Sequence, residues 1–150
     1  MRLLKLVWHP DDVDGTQVKP TAFRKDDLDG SPGAHVSVDR HDKAERSTME
    51  TTASNQKAKA NGGSVKRHEA MIGPMHCVDV RAITLDEDGS KPLQVVPRPI
   101  DGNSAHCGIV NVSGRDVYSR SSRSFLDEIR AKLAAIASPA ATFDEAYGSR

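Results

Sequence analysis

Two histidines in segments of β character, His35 and His106, are the side chains of this sequence best suited to acid–base chemistry. Imidazole fits that work because histidine titrates near neutral pH. His35 alternates with Ser37 and Asp39 along residues 34–39, and the residues between them are valines. Because neighbouring side chains on a strand point to opposite faces, the three polar side chains are predicted to share one face.

His106 belongs to a second predicted strand, residues 105–112, in which Cys107 and Ile109 have the spacing of core positions. This spacing turns His106 outward together with Gly108, and a glycine there leaves room for another group to approach the strand. Two outward imidazoles from two different strands could then act as an acid and a base on one substrate.

Polar neighbours complete the candidate site. Ser37 could contact an oxygen of a phosphoryl group, and Arg40 or Arg115 could balance its charge. Asn103 could orient a substrate or His106. The prediction is a polar cleft with two catalytic histidines and four substrate-binding residues, namely His35 and His106 with Ser37, Asp39, Arg40 and Asn103. The alternative is that both histidines are ordinary exposed side chains on half-buried strands.

The two cysteines, Cys77 and Cys107, each follow a histidine in the sequence. Adjacent residues on a strand face opposite ways, so neither His-Cys pair can easily act on one atom. Both thiols are expected to be free core residues. Three x-Asp-x-Asp-Gly stretches lack the first and twelfth ligands of a calcium loop, and the sequence carries no glycine-rich phosphate loop. We therefore predict no metal and no cofactor.

Composition narrows the class of protein. Lys plus Arg and Asp plus Glu number 21 each, so the chain lacks the basic excess of a nucleic-acid-binding surface. Aromatic residues, on which bases could stack, make up only 4%. Nucleic acid is therefore not expected as a partner. No segment has the length and apolarity of a signal peptide or a membrane span, which predicts a cytoplasmic location without membrane attachment.

The elements that must position these residues are predicted to form one α+β domain over residues 1–150. It should contain a mostly antiparallel sheet of about five strands with a C-terminal helix packed on one face. Strands are expected at residues 2–8, 34–39, 75–83, 93–96 and 105–112, with a hairpin turn at Asp88-Gly89. The helix is expected to start with Ser124 as its cap and to bury Phe125, Ile129, Leu133 and Ile136.

Two segments have a different character. Residues 41–70 form a polar excursion with almost no large apolar side chains, either helical from about 42 to 60 or mobile. The last residues, 139–150, are predicted to be a loose tail.

The segment His35-Val-Ser-Val38 resembles the His-x-Ser/Thr-x motif of the two-histidine phosphoesterases. That family carries two such motifs on strands about as far apart as His35 and His106. The resemblance implies cyclic phosphates and 2′,5′ linkages as substrates, with each histidine as acid or base. The second copy here reads His106-Cys107-Gly108, and it lacks the hydroxyl that would supply one phosphate contact.

A longer resemblance covers roughly residues 19–110. An x-Ala-Phe piece, a Ser-Val-Asp strand and an Asn-x-Ala-His-x-x-Ile end are similar to a family of small, uncharacterised bacterial proteins. Ser104 stands where that pattern has proline. The resemblance implies no activity, but it groups five residues as candidates for one site, namely Phe23, Ser37, Asp39, Asn103 and His106.

Two functions from different classes follow from these observations. The first is an enzyme that acts on a small molecule such as a nucleotide or another phosphodiester through the paired histidines. The second is a non-catalytic interaction module in which a sheet edge or residues 41–70 bind another protein. Converging imidazoles would favour the enzyme, and distant ones would favour the binding module.

Overall fold

The computed structural model describes residues 1–61, 68–115 and 123–148. The strands are β1 (Arg2–His9), β2 (Val13–Asp14), β3 (Gln17–Val18), β4 (Val36–Arg40), β5 (Glu69–His76), β6 (Leu93–Pro97) and β7 (His106–Asn111). The helices are α1 (Arg46–Asn61), α2 (Cys77–Ala82), α3 (Arg123–Ile136) and α4 (Phe143–Tyr147). Two short 3₁₀ turns, Pro20–Ala22 and Lys25–Asp27, lie between β3 and β4.

Five of the strands form one antiparallel sheet in the order β5-β1-β4-β7-β6, and β2 pairs with β3 in a small hairpin. In the interior strand β1, Leu3 and Val7 enter one hydrophobic cluster while Leu4, Leu6 and Trp8 enter another. Burial on both faces explains why β1 reads as a nearly continuous apolar run. The sheet therefore has two covered faces.

The first face is packed against α2, α3 and the 3₁₀ turns. Ile129 and Leu133 of α3 are fully buried there, and Phe125 and the partly buried Ile136 complete the same stripe. Each fully buried side chain of this size contributes about 1.5–3 kcal/mol. A five-stranded antiparallel sheet with a C-terminal helix on one face confirms the predicted α+β architecture.

The second face is covered only in part. Helices α1 and α4 lie over β1 and β5, where Met49 and Ala53 of α1 pack with Trp8 and Ile72. Over β4, β7 and β6 this face is less completely covered: Ser37 of β4 and Gln94 of β6 are exposed, whereas Asp39 of β4 is buried. This uncovered half of the sheet carries the candidate site.

The predicted strand at residues 75–83 and its hairpin were wrong. Strand β5 ends at His76 and α2 begins directly after it. Cys77 and Val80, three positions apart, are buried, whereas Val78 is exposed, as a helix requires. Gly89 does sit in a turn with φ of +70°, but β6 pairs with β7.

Three further expectations can be compared with the structure. The polar excursion, expected to be either helical or mobile, is helical over residues 46–61, and its part at residues 62–67 lies outside the described residues. The tail predicted to be loose is ordered as far as Gly148. Ala141 forms a β-bridge to Ile72, and a capping box between Thr142 and Glu145 starts α4. Helix α3 begins at Arg123, so Ser124 lies inside the helix and is not its cap.

Among the described parts of the chain, no helix combines the length and the apolarity that crossing a lipid bilayer requires.

Candidate active site

His35 and His106 lie next to each other on the uncovered half of the second face. Their ring centroids are 5.6 Å apart, and the planes meet at 80° in an edge-to-face arrangement. His35 directly precedes β4 and His106 begins β7, and these two strands are hydrogen-bonded neighbours. Both side chains are half-buried. The structure therefore brings together two imidazoles that are 71 residues apart in sequence (35 to 106).

Each ring is held by a backbone carbonyl. His35 Nδ1 lies 2.9 Å from the carbonyl oxygen of Gly33, and His106 Nδ1 lies 2.8 Å from that of Arg98. A carbonyl oxygen can only accept, so Nδ1 must carry the proton in both rings. In the neutral tautomer each Nε2 then has a free lone pair. Both rings are thus arranged to accept a proton at Nε2, or to donate one from Nε2 when fully protonated.

Gly108 gives His35 its position. A Cβ at residue 108 would lie 2.9 Å from His35 Cβ and 3.0 Å from its Cγ and Cδ2. Real side chains almost never approach so closely, so the ring lies where only a glycine permits it. The space that the sequence predicted beside Gly108 is filled by the side chain of His35.

Ser37 and Asp39 share the face of the two histidines. In the ladder between β4 and β7, Ser37 is opposite Gly108 and Asp39 is opposite His106. Residues opposite each other point to the same side of the sheet. Ser37 is exposed, whereas Asp39 is only 7% exposed. The hydroxyl is available to a ligand, and the carboxylate lies beneath the site.

Asn103 holds this carboxylate. Its Nδ2 donates to Asp39 Oδ1 at 2.7 Å, and its Oδ1 accepts from the backbone N–H of Ala105 at 3.1 Å. Both ends of the amide are therefore engaged within the protein. Asn103 fixes Asp39 and the start of β7, which differs from the predicted direct contact with a substrate.

The structure does not bring Arg40 to the histidine pair. Arg40 follows Val36 and Val38 in the alternation of β4, so its side chain leaves on the opposite side from Ser37 and Asp39. Its Nη2 donates to Asp42 at 2.9 Å. This ion pair lies beside a hollow of about 370 Å³ lined by Met1, Arg2, Arg40, His41 and Asp42.

Two other predicted candidates also lie elsewhere. Arg115 forms ion pairs with Glu87 at 2.8 Å and Asp88 at 3.2 Å. Phe23 has no exposed surface and belongs to the core on the first face. Its grouping with the site residues, which the resemblance implied, is therefore wrong at the level of side-chain contact.

Arg98 is the residue of this site that the sequence analysis missed. Its backbone N–H donates to the carbonyl of His106 at 2.9 Å, and its own carbonyl accepts from His106 Nδ1. The last residue pair of the β6–β7 ladder is Pro97 and Cys107, and these bonds add the next pair, Arg98 and His106. Arg98 is therefore opposite His106 and shares its face of the sheet. Only the pairing register, which the sequence does not state, could have identified it.

The cysteines take no part in the site. Cys107 faces the first core, where burial raises the pKa of its thiol, and Cys77 is buried in the same cluster. Both are free thiols, as predicted. Within residues 1–61, 68–115 and 123–148, no three His, Cys, Asp or Glu side chains are grouped as metal ligands would be.

An acid lies within electrostatic range of His35. Burial raises the pKa of the Asp27 carboxyl, and the positive charges of Lys5, Arg24 and His35 act in the opposite direction. Burial is the larger influence, so the pKa of Asp27 lies above that of an ordinary aspartate.

The histidine pair does not line the hollow beside Arg40. A second hollow of about 350 Å³ lies between α2 and α3, where Asp79 and Lys132 line it. Neither His35 nor His106 lines either hollow. The predicted cleft around the two histidines is therefore neither of these two hollows.

No family model, no curated protein and no solved structure matches this chain. What the site can do must therefore be argued from its own residues.

Proposed function

We propose that this protein hydrolyses a phosphodiester, such as that of a nucleotide, with His35 and His106 as the acid and the base. The observation that carries the proposal is the 5.6 Å separation of the two rings, together with the backbone bonds that leave both Nε2 atoms free. Two neighbouring imidazoles, each with an Nε2 that has no hydrogen-bond partner among the described residues, are suited to moving two protons in one reaction.

The reaction uses one water. One ring, unprotonated at Nε2, removes a proton from the water as its oxygen forms a bond to phosphorus. The bond between phosphorus and the leaving oxygen breaks with its electron pair. The second ring, protonated at Nε2, gives its proton to that oxygen. The products are a phosphomonoester and an alcohol, and exchange with solvent restores the two rings.

Ser37 supports a phosphorylated substrate. Its exposed hydroxyl is on the histidine face and can donate to a phosphoryl oxygen. This is also the hydroxyl of the segment that resembles the two-histidine phosphoesterases, so we propose cyclic phosphates and 2′,5′ linkages as the first substrates to test. The second hydroxyl of that pattern is replaced by Gly108, over which His35 lies. Ser37 therefore serves alone.

The test is a screen of cyclic nucleotides and 2′,5′-linked dinucleotides with wild type, His35→Ala and His106→Ala. Loss of one acid or base is expected to lower kcat by about 10²–10⁴-fold. His76→Ala is the matched control, because His76 is exposed at the end of the outer strand β5. Equal turnover by wild type and both site variants, or no turnover of any phosphodiester by wild type, would sink the proposal.

The alternative, a non-catalytic interaction module, receives less support. Strand-to-strand docking needs a free sheet edge. On the β5 edge, Ile72 exchanges two backbone bonds of 2.8 Å with Ala141, and Ser138 donates to Pro74. On the β6 edge, Arg81 donates to the carbonyl of Val95 at 3.0 Å. Other parts of the same chain thus engage part of each edge.

A further inference from the structure

We propose that Arg98 binds the negatively charged phosphoryl group at this site. The inference rests on the proposed function and adds to it the residue that would bind the anionic phosphoryl oxygens of the phosphodiester.

The first step of the argument is position. Arg98 and His106 form a pair in the ladder through the bond from Arg98 N–H to the His106 carbonyl. The Cβ atoms of such opposite residues are about 4.5–5.5 Å apart on one face of the sheet. The Arg98 side chain therefore starts beside the His106 ring, and its carbonyl holds the Nδ1 of that ring.

The second step is the absence of a partner. Arg98 Nε is buried and has no hydrogen-bond acceptor among the residues that the structure describes. In the same part of the chain its side chain forms no ion pair, whereas Arg46 and Arg115 each contact two carboxylates. Arg40 also has a buried, unpaired Nε, but its Nη2 is bonded to Asp42. Buried donors are normally satisfied, so an acceptor from outside the protein is the natural partner of Arg98.

The third step is chemical fit. A guanidinium presents parallel N–H groups that match two oxygens of a phosphoryl group. Arg98 would neutralise the charge that grows on those oxygens while the neighbouring imidazole transfers a proton. Ser37, across β7 on the same face, offers the second contact.

The experiment measures inorganic phosphate binding by NMR, through the Cε1–Hε1 signals of His35 and His106 at fixed pH and ionic strength. Wild type is expected to show saturable shifts of both rings. Arg98→Met should weaken the apparent affinity at least about tenfold, since a charge-assisted contact of this kind is worth 1.5–3 kcal/mol and tenfold corresponds to about 1.4 kcal/mol. Arg98→Lys should fall between the two, because it keeps the charge and loses the fork.

Arg40→Met is the matched control, and it should bind phosphate as wild type does, since its guanidinium lies on the other side of β4. No response in wild type, an unchanged response in Arg98→Met, or the same loss in Arg40→Met would each overturn the inference. If Arg98→Met proves unfolded by its amide spectrum, Arg98→Lys decides alone, and wild-type affinity in that variant counts against the proposal.

The two proposals can fail separately. If wild type cleaves no phosphodiester but binds phosphate in an Arg98-dependent manner, the anion site stands and the reaction falls. If wild type cleaves a phosphodiester and Arg98→Met keeps its KM and kcat, the reaction stands and the role of Arg98 falls.

Discussion

At the scale of single residues, Gly108 controls the geometry of the histidine pair. Gly108→Ala would set a methyl group 2.9–3.0 Å from three atoms of His35, so the position of His35 relative to His106 must change. Overpacking of this kind costs about 1–3 kcal/mol. We expect the variant to stay folded with a lower urea midpoint and to lose most of the proposed phosphodiesterase activity.

A double-mutant cycle separates this contact from a general loss of stability. In a His35→Ala background only the Cβ contact remains, so the Gly108→Ala substitution should cost less there than in wild type. Equal costs in the two backgrounds would show that the cost does not come from the His35 ring and that Gly108 does not position it.

Asp27 predicts a pH dependence of stability. Burial raises its pKa in the folded protein. A carboxyl with a raised pKa favours folding fully only below its unfolded value, about 3.9, and this contribution is lost as the pH rises through the folded value. At pH 7 the buried charge therefore disfavours folding. Asp27→Asn should raise the urea midpoint modestly at pH 7, and the gain should shrink to nothing below about pH 3.9.

Asp26→Asn is the control for this prediction, because Asp26 is an exposed carboxylate in the same 3₁₀ turn. It should give only a small part of the gain at pH 7, because the charge of Asp26 is the smallest of the influences on the pKa of Asp27 and burial is the largest. A lower midpoint for Asp27→Asn at pH 7 would mean that attraction from Lys5, Arg24 and His35 outweighs the cost of burial.

The residue pattern contained more of the site than its first interpretation used. Alternation along residues 34–39 correctly grouped His35, Ser37 and Asp39 on one face. The same alternation, continued by one residue, assigns Arg40 to the opposite face with Val38. Arg98 is different, since its position opposite His106 depends on the register of β6 and β7. Register is set by packing across strands that are distant in sequence.

At the scale of elements, two kinds of pattern were ambiguous. The β character of residues 75–83 predicted a strand, but Cys77, Val80 and Ile83 also have helical spacing and are the buried residues of the segment 77–83. In β5, Gly73 and Pro74 resemble a turn. A Cβ on Gly73 would lie 3.2 Å from Val7 Cγ1, so the glycine permits close packing, and an edge strand tolerates the proline.

In helix α1, tertiary contacts determine the structure of a segment whose apolar pattern is too weak to predict it. Met49 and Ala53 of α1 enter the second cluster, together with Ala44 just before the helix. Because so few of its side chains are apolar, the composition of this segment favoured a mobile segment as much as a helix. Arg46 fixes its start by donating to Glu50, to Asp144 and to the carbonyl of Gly148. Asp144 of α4 and Gly148 just after it are about a hundred residues away from Arg46 in sequence. Local helix propensity therefore could not have indicated these contacts.

At the scale of the whole molecule, the unequal cover of the two faces creates the site. Helices α2 and α3 cover the first face, whereas α1 and α4 cover only β1 and β5 on the second. The antiparallel sheet and its C-terminal helix could be predicted from strand and helix patterns. Which half of the second face stays open could not, because it depends on where two polar helices dock.

The two cysteines test whether this molecule unfolds as one unit. Cys77 at the start of α2 and Cys107 in β7 are 4% and 3% exposed and belong to one cluster. Burial raises the pKa of Cys107, which further lowers its thiolate fraction at neutral pH. Neither thiol should react with an aromatic disulfide reagent in the native protein. Both should become reactive over the urea range in which the circular dichroism signal is lost.

Single variants assign the labelling to each site. Cys77→Ala leaves only Cys107 to react, and Cys107→Ala leaves only Cys77, so each can be compared with its own unfolding curve. Helix α2 is a short element that joins β5 to the loop before β6, so its local opening is worth testing separately from global unfolding. Labelling of Cys77 well before the global transition would show that α2 opens independently. If labelling of both cysteines instead coincides with the unfolding curve, the covered face and the strands that bear the histidines unfold as one cooperative structure.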